Sequence, residues 1–284
     1  MTPAPEHPCI PRLKQEYAEG RLDRREFLRM TTLLGLSASA AYAFAGKLLG
    51  EEPVPKARAA TEKGGTIRVG MKVYEIKQPH TFKYNEQPTL TSQVVEYLSR
   101  TGHDNLTRPW LLDRWDASAD LRTWRLHVRK GVKWRSGRDF TADDVIWNLK
   151  RVLDEKTGSS VLGLMRDYLL QEYTEGGVKR LRLWDTNAIE RVDAHTVRLN
   201  LREPQLAIPE HLYHYPLQML DPAENGNFGV GSNGTGPFEL VAHAIDKSAT
   251  LKARKDYWGS APNIDTLEFV DQRRSAAAVG RDLE

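Results

Sequence analysis

The chain has 284 residues, a formal net charge of +3, 40% apolar residues and 28% charged residues, the make-up of an ordinary globular chain. Lys and Arg alternate with Asp and Glu, and no run of like charge is long enough to read as a nucleic-acid face. The single cysteine, Cys9, leaves no disulfide within the chain.

From the N-terminus, Asp23-Arg24-Arg25-Glu26-Phe27-Leu28-Arg29 resembles a twin-arginine export motif: paired arginines, the apolar pair Phe27 and Leu28, then a base. Met30 to Gly46 is an apolar run of signal-peptide length, too short and too rich in small residues for a spanning helix. Ala57-Arg58-Ala59 supplies an Ala-x-Ala cleavage site, with Ala60 the first mature residue. An amphipathic helix with incidental arginines is the competing reading, and the order of the three features favours export. Residues 1–59 are therefore expected to be leader rather than structure, with the twin-arginine translocase as export partner and a soluble periplasmic product. Cys9 precedes the arginines and no cysteine follows the apolar run, so no lipid anchor is expected. About 225 residues remain, enough to bury a core in one or two domains.

In the remainder, Ile67, Val69 and Met71 alternate with Arg68 and Gly70, which predicts a strand over 65–71. Val94, Val95 and Leu98 have helical spacing up to Ser99. Trp124, Leu126 and Val128 alternate with Arg125, His127 and Arg129, predicting a half-buried strand. After a turn at Ser136-Gly137-Arg138-Asp139, Thr141 is placed as an N-cap with Asp144 at N3, and Val145, Ile146, Leu149, Val152 and Leu153 form a helix face. Val197, Leu199 and Leu201 give a further strand. A Gly/Asn-rich loop over 225–237 precedes three short strands at 238–241, 250–253 and 266–270. The pattern is a mixed α/β chain without internal repeats.

Few groupings carry chemistry. Asp143-Asp144 could pass for a catalytic pair, but in a first helical turn they cap and complement the dipole, and adjacent helix residues diverge by about 100°. Gly229-Val230-Gly231-Ser232-Asn233-Gly234 fits the dinucleotide pattern, yet Gly236-Pro237 and a strand follow where a helix is needed. His211 and His214 stand at i and i+3, with His127, His195 and His243 scattered, and no third metal ligand has suitable spacing. No nucleophile elbow, zinc-protease motif or Walker loop is present, so no catalytic residue, cofactor or metal is assigned.

Five phrases recur in a fixed order: Gly64-Gly65-Thr66-Ile67-Arg68-Val69; Trp124 to Trp134; Phe140-Thr141-Ala142-Asp143-Asp144-Val145; Gly234-Thr235-Gly236-Pro237-Phe238; and Asp256-Tyr257-Trp258-Gly259. In that order they resemble the peptide/nickel class (family 5) of extracellular solute-binding proteins of ABC importers. The resemblance implies a two-lobed periplasmic-binding fold of type II, a non-enzymatic role, and an ABC permease with its ATPase as partners. An oligopeptide, or a related solute such as a nickel chelate, haem, an opine or a saccharide, would lie between the lobes of a monomer. It further implies that residues 60–98 plus 186–270 form the main part of lobe one and 99–185 an inserted subdomain. Residues 271–284 would open a crossover to a second lobe that this sequence does not contain. By the same resemblance, Tyr84, Asn85 and Glu86 meet the ligand backbone beside Lys83, and His214 and Tyr215 lie near the cleft floor, where Tyr215 could equally be core. Val161 stands where peptide binders often carry an aromatic. The Gly234–Phe238 and Asp256–Gly259 phrases are read as structural. Two alternatives are a truncated remnant that binds weakly or not at all, and a periplasmic hydrolase that no motif supports.

Overall fold

The computed structural model describes residues 6–49 and 63–271. Three helices come first: α1 (Ile10–Ala18), α2 (Arg24–Leu33) and α3 (Ala38–Leu49). The Asp23 carboxylate accepts the Glu26 amide at 2.8 Å and caps α2. Gly35, at φ +93°, breaks the apolar run between α2 and α3. Ile10, Leu13, Phe27, Leu28, Leu34, Ala41 and Ala45 bury one another together with Leu106. The expectation of a leader without structure therefore differs from what is observed over 6–49. The apolar stripes of α1 and α2 need a partner and find it in the body of the protein. Ala57 and Ala59 lie outside the described residues.

The body begins with β1 (Thr66–Gly70) and α4 (Glu86–Thr91). A hairpin of β2 (Ser99–Thr101) and β3 (Thr107–Pro109) leads into β4 (Leu112–Ala117) and β5 (Thr123–Val128). Then come α5 (Ala142–Val152), α6 (Val161–Leu169), and a hairpin of β6 (Leu170–Glu175) with β7 (Val178–Leu183). The strands β8 (Ile189–Asp193) and β9 (Thr196–Asn200) return to β5, completing an antiparallel sheet of order β4-β5-β9-β8. On this sheet α5 lays Val145, Leu149 and Val152, against Trp124, Leu126, Val197 and Leu199. The start of α5 is a capping box: the Thr141 amide donates to Asp144 Oδ2 at 2.8 Å.

After α7 (Ile208–His211) and a long loop, β10 (Phe238–Ala244), β11 (Ser248–Ala253) and β12 (Thr266–Val270) complete a second sheet of order β1-β12-β11-β10. Here β1 runs parallel to β12, with Ile67 opposite Leu267 and Val69 opposite Phe269, and the other pairs are antiparallel. Its core collects Val73, Phe82, Leu90, Val94, Phe238, Leu240, Leu251 and Phe269.

Two expectations differ from this architecture. Residues 189–200, expected with the main part of lobe one, pair instead with β5 in the sheet that contains β4. The helix expected through Val94 and Leu98 ends with α4 at Thr91. The Gln93 and Val94 carbonyls instead accept the amides of Phe238 (3.0 Å) and Gly236 (2.8 Å), so tertiary bonds replace helical ones. No helix among the described residues is long and apolar enough to cross a membrane.

Candidate ligand-binding face

Because β1 and β12 are parallel neighbours, their carboxyl ends share one edge of the sheet, where open α/β sheets place ligands. The loop 71–85 runs over that edge and is tied down along its length. Met71 N donates to Val270 O (3.0 Å), Asp246 N to Val73 O (2.8 Å), and the His243 ring to Tyr74 O (2.9 Å). Further on, Gln87 Oε1 accepts the amides of both Lys83 and Tyr84 at 3.1 Å, while Gln87 Nε2 donates to Glu75 O at 2.7 Å. The result is a fixed aromatic surface. Tyr84 is 51% exposed and stacks on Tyr74 with ring centroids 4.4 Å apart and planes at 10°. Lys72 Nζ sits 4.5 Å from the Tyr74 centroid, a cation–π contact. Asn85 is exposed beside it, and Glu86 is half-buried in the first turn of α4. Glu75, Lys77, Phe82 and Gln87 complete an open groove with the two tyrosines.

His214 and Tyr215 stand elsewhere, just beyond α7. Tyr215 packs on the core that contains Phe82, its carbonyl accepts the Tyr97 hydroxyl at 3.0 Å, and its ring lies 4.6 Å from the His214 ring. The two groups of expected ligand residues thus share a core rather than a direct hydrogen bond. Burial lowers the His214 pKa below its ordinary value, so its imidazole is neutral at pH 7. His211 instead takes the Tyr168 hydroxyl at Nδ1 (2.7 Å), so the two histidines serve different neighbours. Among the described residues no group of three His, Cys, Asp or Glu could hold a metal. Val161 is fully buried in the subdomain core and offers no side chain to a pocket.

Sequence reading missed the most elaborate polar cluster. Glu96 is 4% exposed, and its Oε1 accepts Trp110 Nε1 and the Tyr257 hydroxyl, each at 2.7 Å. Its Oε2 accepts Trp258 Nε1 at 3.0 Å. Burial raises the carboxyl pKa, and the donors only partly offset that. The Asp256–Gly259 phrase therefore closes over a carboxylate and links the second sheet to the start of the subdomain. Beside it, buried Arg254 donates to the carbonyls of Gly234 (2.9 Å) and Gly236 (3.1 Å), fixing the glycine turn. The available signal was a lone acid inside the apolar stretch Val94 to Leu98.

Over residues 107–281 the chain matches the family described as bacterial extracellular solute-binding proteins, family 5. The chain belongs to this family. Its curated relatives include the di/tripeptide-binding protein 4 of Pseudomonas aeruginosa, 33% identical over 177 residues, a match covering 57% of this chain and 32% of the relative. The dipeptide-binding protein of Escherichia coli is 30% identical over 183 residues, with the same coverage of 57% and 32%. The match thus spans about a third of these relatives' length. Among solved structures, DppA from Helicobacter pylori in complex with the peptide STSA superposes with a TM-score of 0.61 at 20% identity, over 78% of this chain and 46% of that one. The oligopeptide-binding protein OppAIV of Borrelia burgdorferi gives 0.64 at 20%, over 77% and 45%. The fold is accordingly that of the family 5 periplasmic binding proteins, in its mixed α/β form.

Proposed function

We propose that this family 5 chain forms one wall of a solute cleft in the binding component of an ABC importer, with short peptides as the ligand class. The observation that carries this reading is the family match over 107–281 together with relatives named for dipeptide and tripeptide binding. The physical support is the loop 71–87, which is rigidly tied, bears a stacked tyrosine pair, and exposes Lys83, Tyr84 and Asn85. A ligand lying extended here would offer its main chain to the exposed side chains of Lys83 and Asn85 while its own side chains spread over the Tyr74–Tyr84 stack. Affinity drawn from main-chain pairing is tolerant of ligand sequence, which suits nutrient capture. No step of bond chemistry is assigned to any residue. An ABC permease and its ATPase are the receiving partners in this reading.

The working compartment follows from the leader motif: Arg24 and Arg25 ahead of Phe27 and Leu28 direct the chain through a twin-arginine translocase to the periplasm. A chain carrying Arg24→Lys and Arg25→Lys is expected to stay in the cytoplasm, and normal periplasmic recovery of it would overturn the export reading.

Thermal melting of the protein with and without millimolar di- and tripeptides tests ligand capture. Peptides should raise the midpoint, because a ligand that binds only the folded state stabilises it. Tyr84→Ala should abolish that rise while leaving the ligand-free midpoint nearly unchanged, since its side chain is half exposed. A midpoint that no peptide moves would overturn the reading.

A further inference from the structure

The N-terminal helices do more than rest on the body. Phe27 has no exposed surface and stacks on Tyr17 with centroids 4.6 Å apart, and Leu28 is 5% exposed. The same cluster takes in Leu106, Leu121 and Leu206 from the body. Four polar anchors, spread along the segment, join it to separate points of the surface below. Arg29 makes two bonds to Glu210, at 2.7 and 2.6 Å. Trp115 Nε1 donates to the Leu33 carbonyl at the end of α2, at 2.9 Å. The Tyr42 hydroxyl donates to Asp104 Oδ2 at 2.9 Å, with Arg108 clamping the same carboxylate. The His7 ring reaches the Ser118 carbonyl at 3.1 Å. Loose apolar collapse needs no such set; anchors at four separate places specify one register.

We infer that this face of the subdomain is a docking surface for the chain's own N-terminal helices, and that docking withholds the paired-arginine motif from any receptor that reads it. The second half rests on the export reading above. Within the motif, the docked state covers the apolar pair Phe27 and Leu28 and engages Arg29, while Arg25 stays exposed. A receptor that must grip the apolar pair can do so only after α2 lifts away. Folding of the body and reading of the motif therefore compete for the same side chains.

Hydrogen exchange on the full chain reads docking without reference to export. Amides 27–34 should exchange at least about tenfold more slowly than in an unfolded chain. Glu210→Arg, which sets a like charge against Arg29, and Trp115→Phe, which removes the bond to Leu33, should each speed exchange at 27–34. Amides of β5 and β9 should stay protected, which shows that the subdomain is still folded. In cells, Glu210→Arg should raise the export rate severalfold. Unprotected amides at 27–34 in the unaltered chain, or unchanged protection in both variants, would overturn the docking. Freed amides with an unchanged export rate, in cells where the Arg24→Lys/Arg25→Lys chain is retained, would overturn the masking. Normal export of that double variant would remove the export reading and the masking with it, while slow exchange at 27–34 would still support the docking.

Discussion

Glu96 lies under Trp110, Tyr257 and Trp258, and burial raises its pKa above the ordinary 4.5. A raised carboxyl contributes stability that is fully present below 4.5 and is lost as pH rises through the folded-state value. Glu96→Gln keeps an acceptor oxygen and cannot ionise. Urea unfolding at pH 4, 5.5 and 7 should show the unaltered protein losing stability relative to Glu96→Gln as pH rises; parallel curves would contradict this. His80 titrates in the opposite sense. It is buried, donates from Nε2 to the Gln218 carbonyl at 2.9 Å, and burial lowers its pKa from 6.5 to about 4. The neutral imidazole's contribution is present above 6.5 and is lost as pH falls toward 4, by up to about 3 kcal/mol. His80→Gln should remove that acid-side loss, and a variant as acid-sensitive as the parent would refute the assignment.

At the scale of elements, the turn at Gly234–Gly236 is the tightest backbone approach that joins α4's exit to β10. A Cβ on Gly234 would overlap the Val94 carbonyl, and one on Gly236 would meet the Gln93 and Val94 carbonyls. Neither neighbour can yield, because the Gly236 and Phe238 amides bond those same carbonyls. Gly234→Ala and Gly236→Ala should each cost about 2–4 kcal/mol in unfolding free energy. Gly229→Ala, where nothing lies within 4 Å and φ is unstrained, should be close to neutral. Equal costs at all three sites would contradict this account of the phrase. The same region shows what sequence could and could not reveal. Alternation at Trp124–Val128 marks a strand because one face of it is buried, a local property. The Thr141 capping box is equally local. Sheet membership is not: nothing within residues 189–200 states that they pair with β5 rather than with β10. The helix expected at Val94–Leu98 fails for the same reason, since its carbonyls are claimed by residues about 140 positions away in the chain.

Across the whole molecule, the order of phrases made the family legible before the fold was seen, because those phrases sit at turns and packing points that the fold requires. The candidate site was less legible. Tyr84, Asn85 and Glu86 came only from the resemblance, and the stacking of Tyr84 on Tyr74 and the carboxylate network at Glu96 depend on contacts that no local pattern encodes. The N-terminal stripe read as a signal also packs as a three-helix unit, since an apolar helix face serves either purpose. In the proposed reading, the ligand lies beside the carboxyl ends of β1 and β12, against the loop 71–87. Titration of the isotopically labelled protein with a tripeptide, followed by amide chemical shifts, tests the central claim directly. The account predicts shifts that saturate and concentrate at residues 72–87, with smaller ones at 213–215. Saturable shifts centred on other surfaces, or none at millimolar peptide, would contradict it.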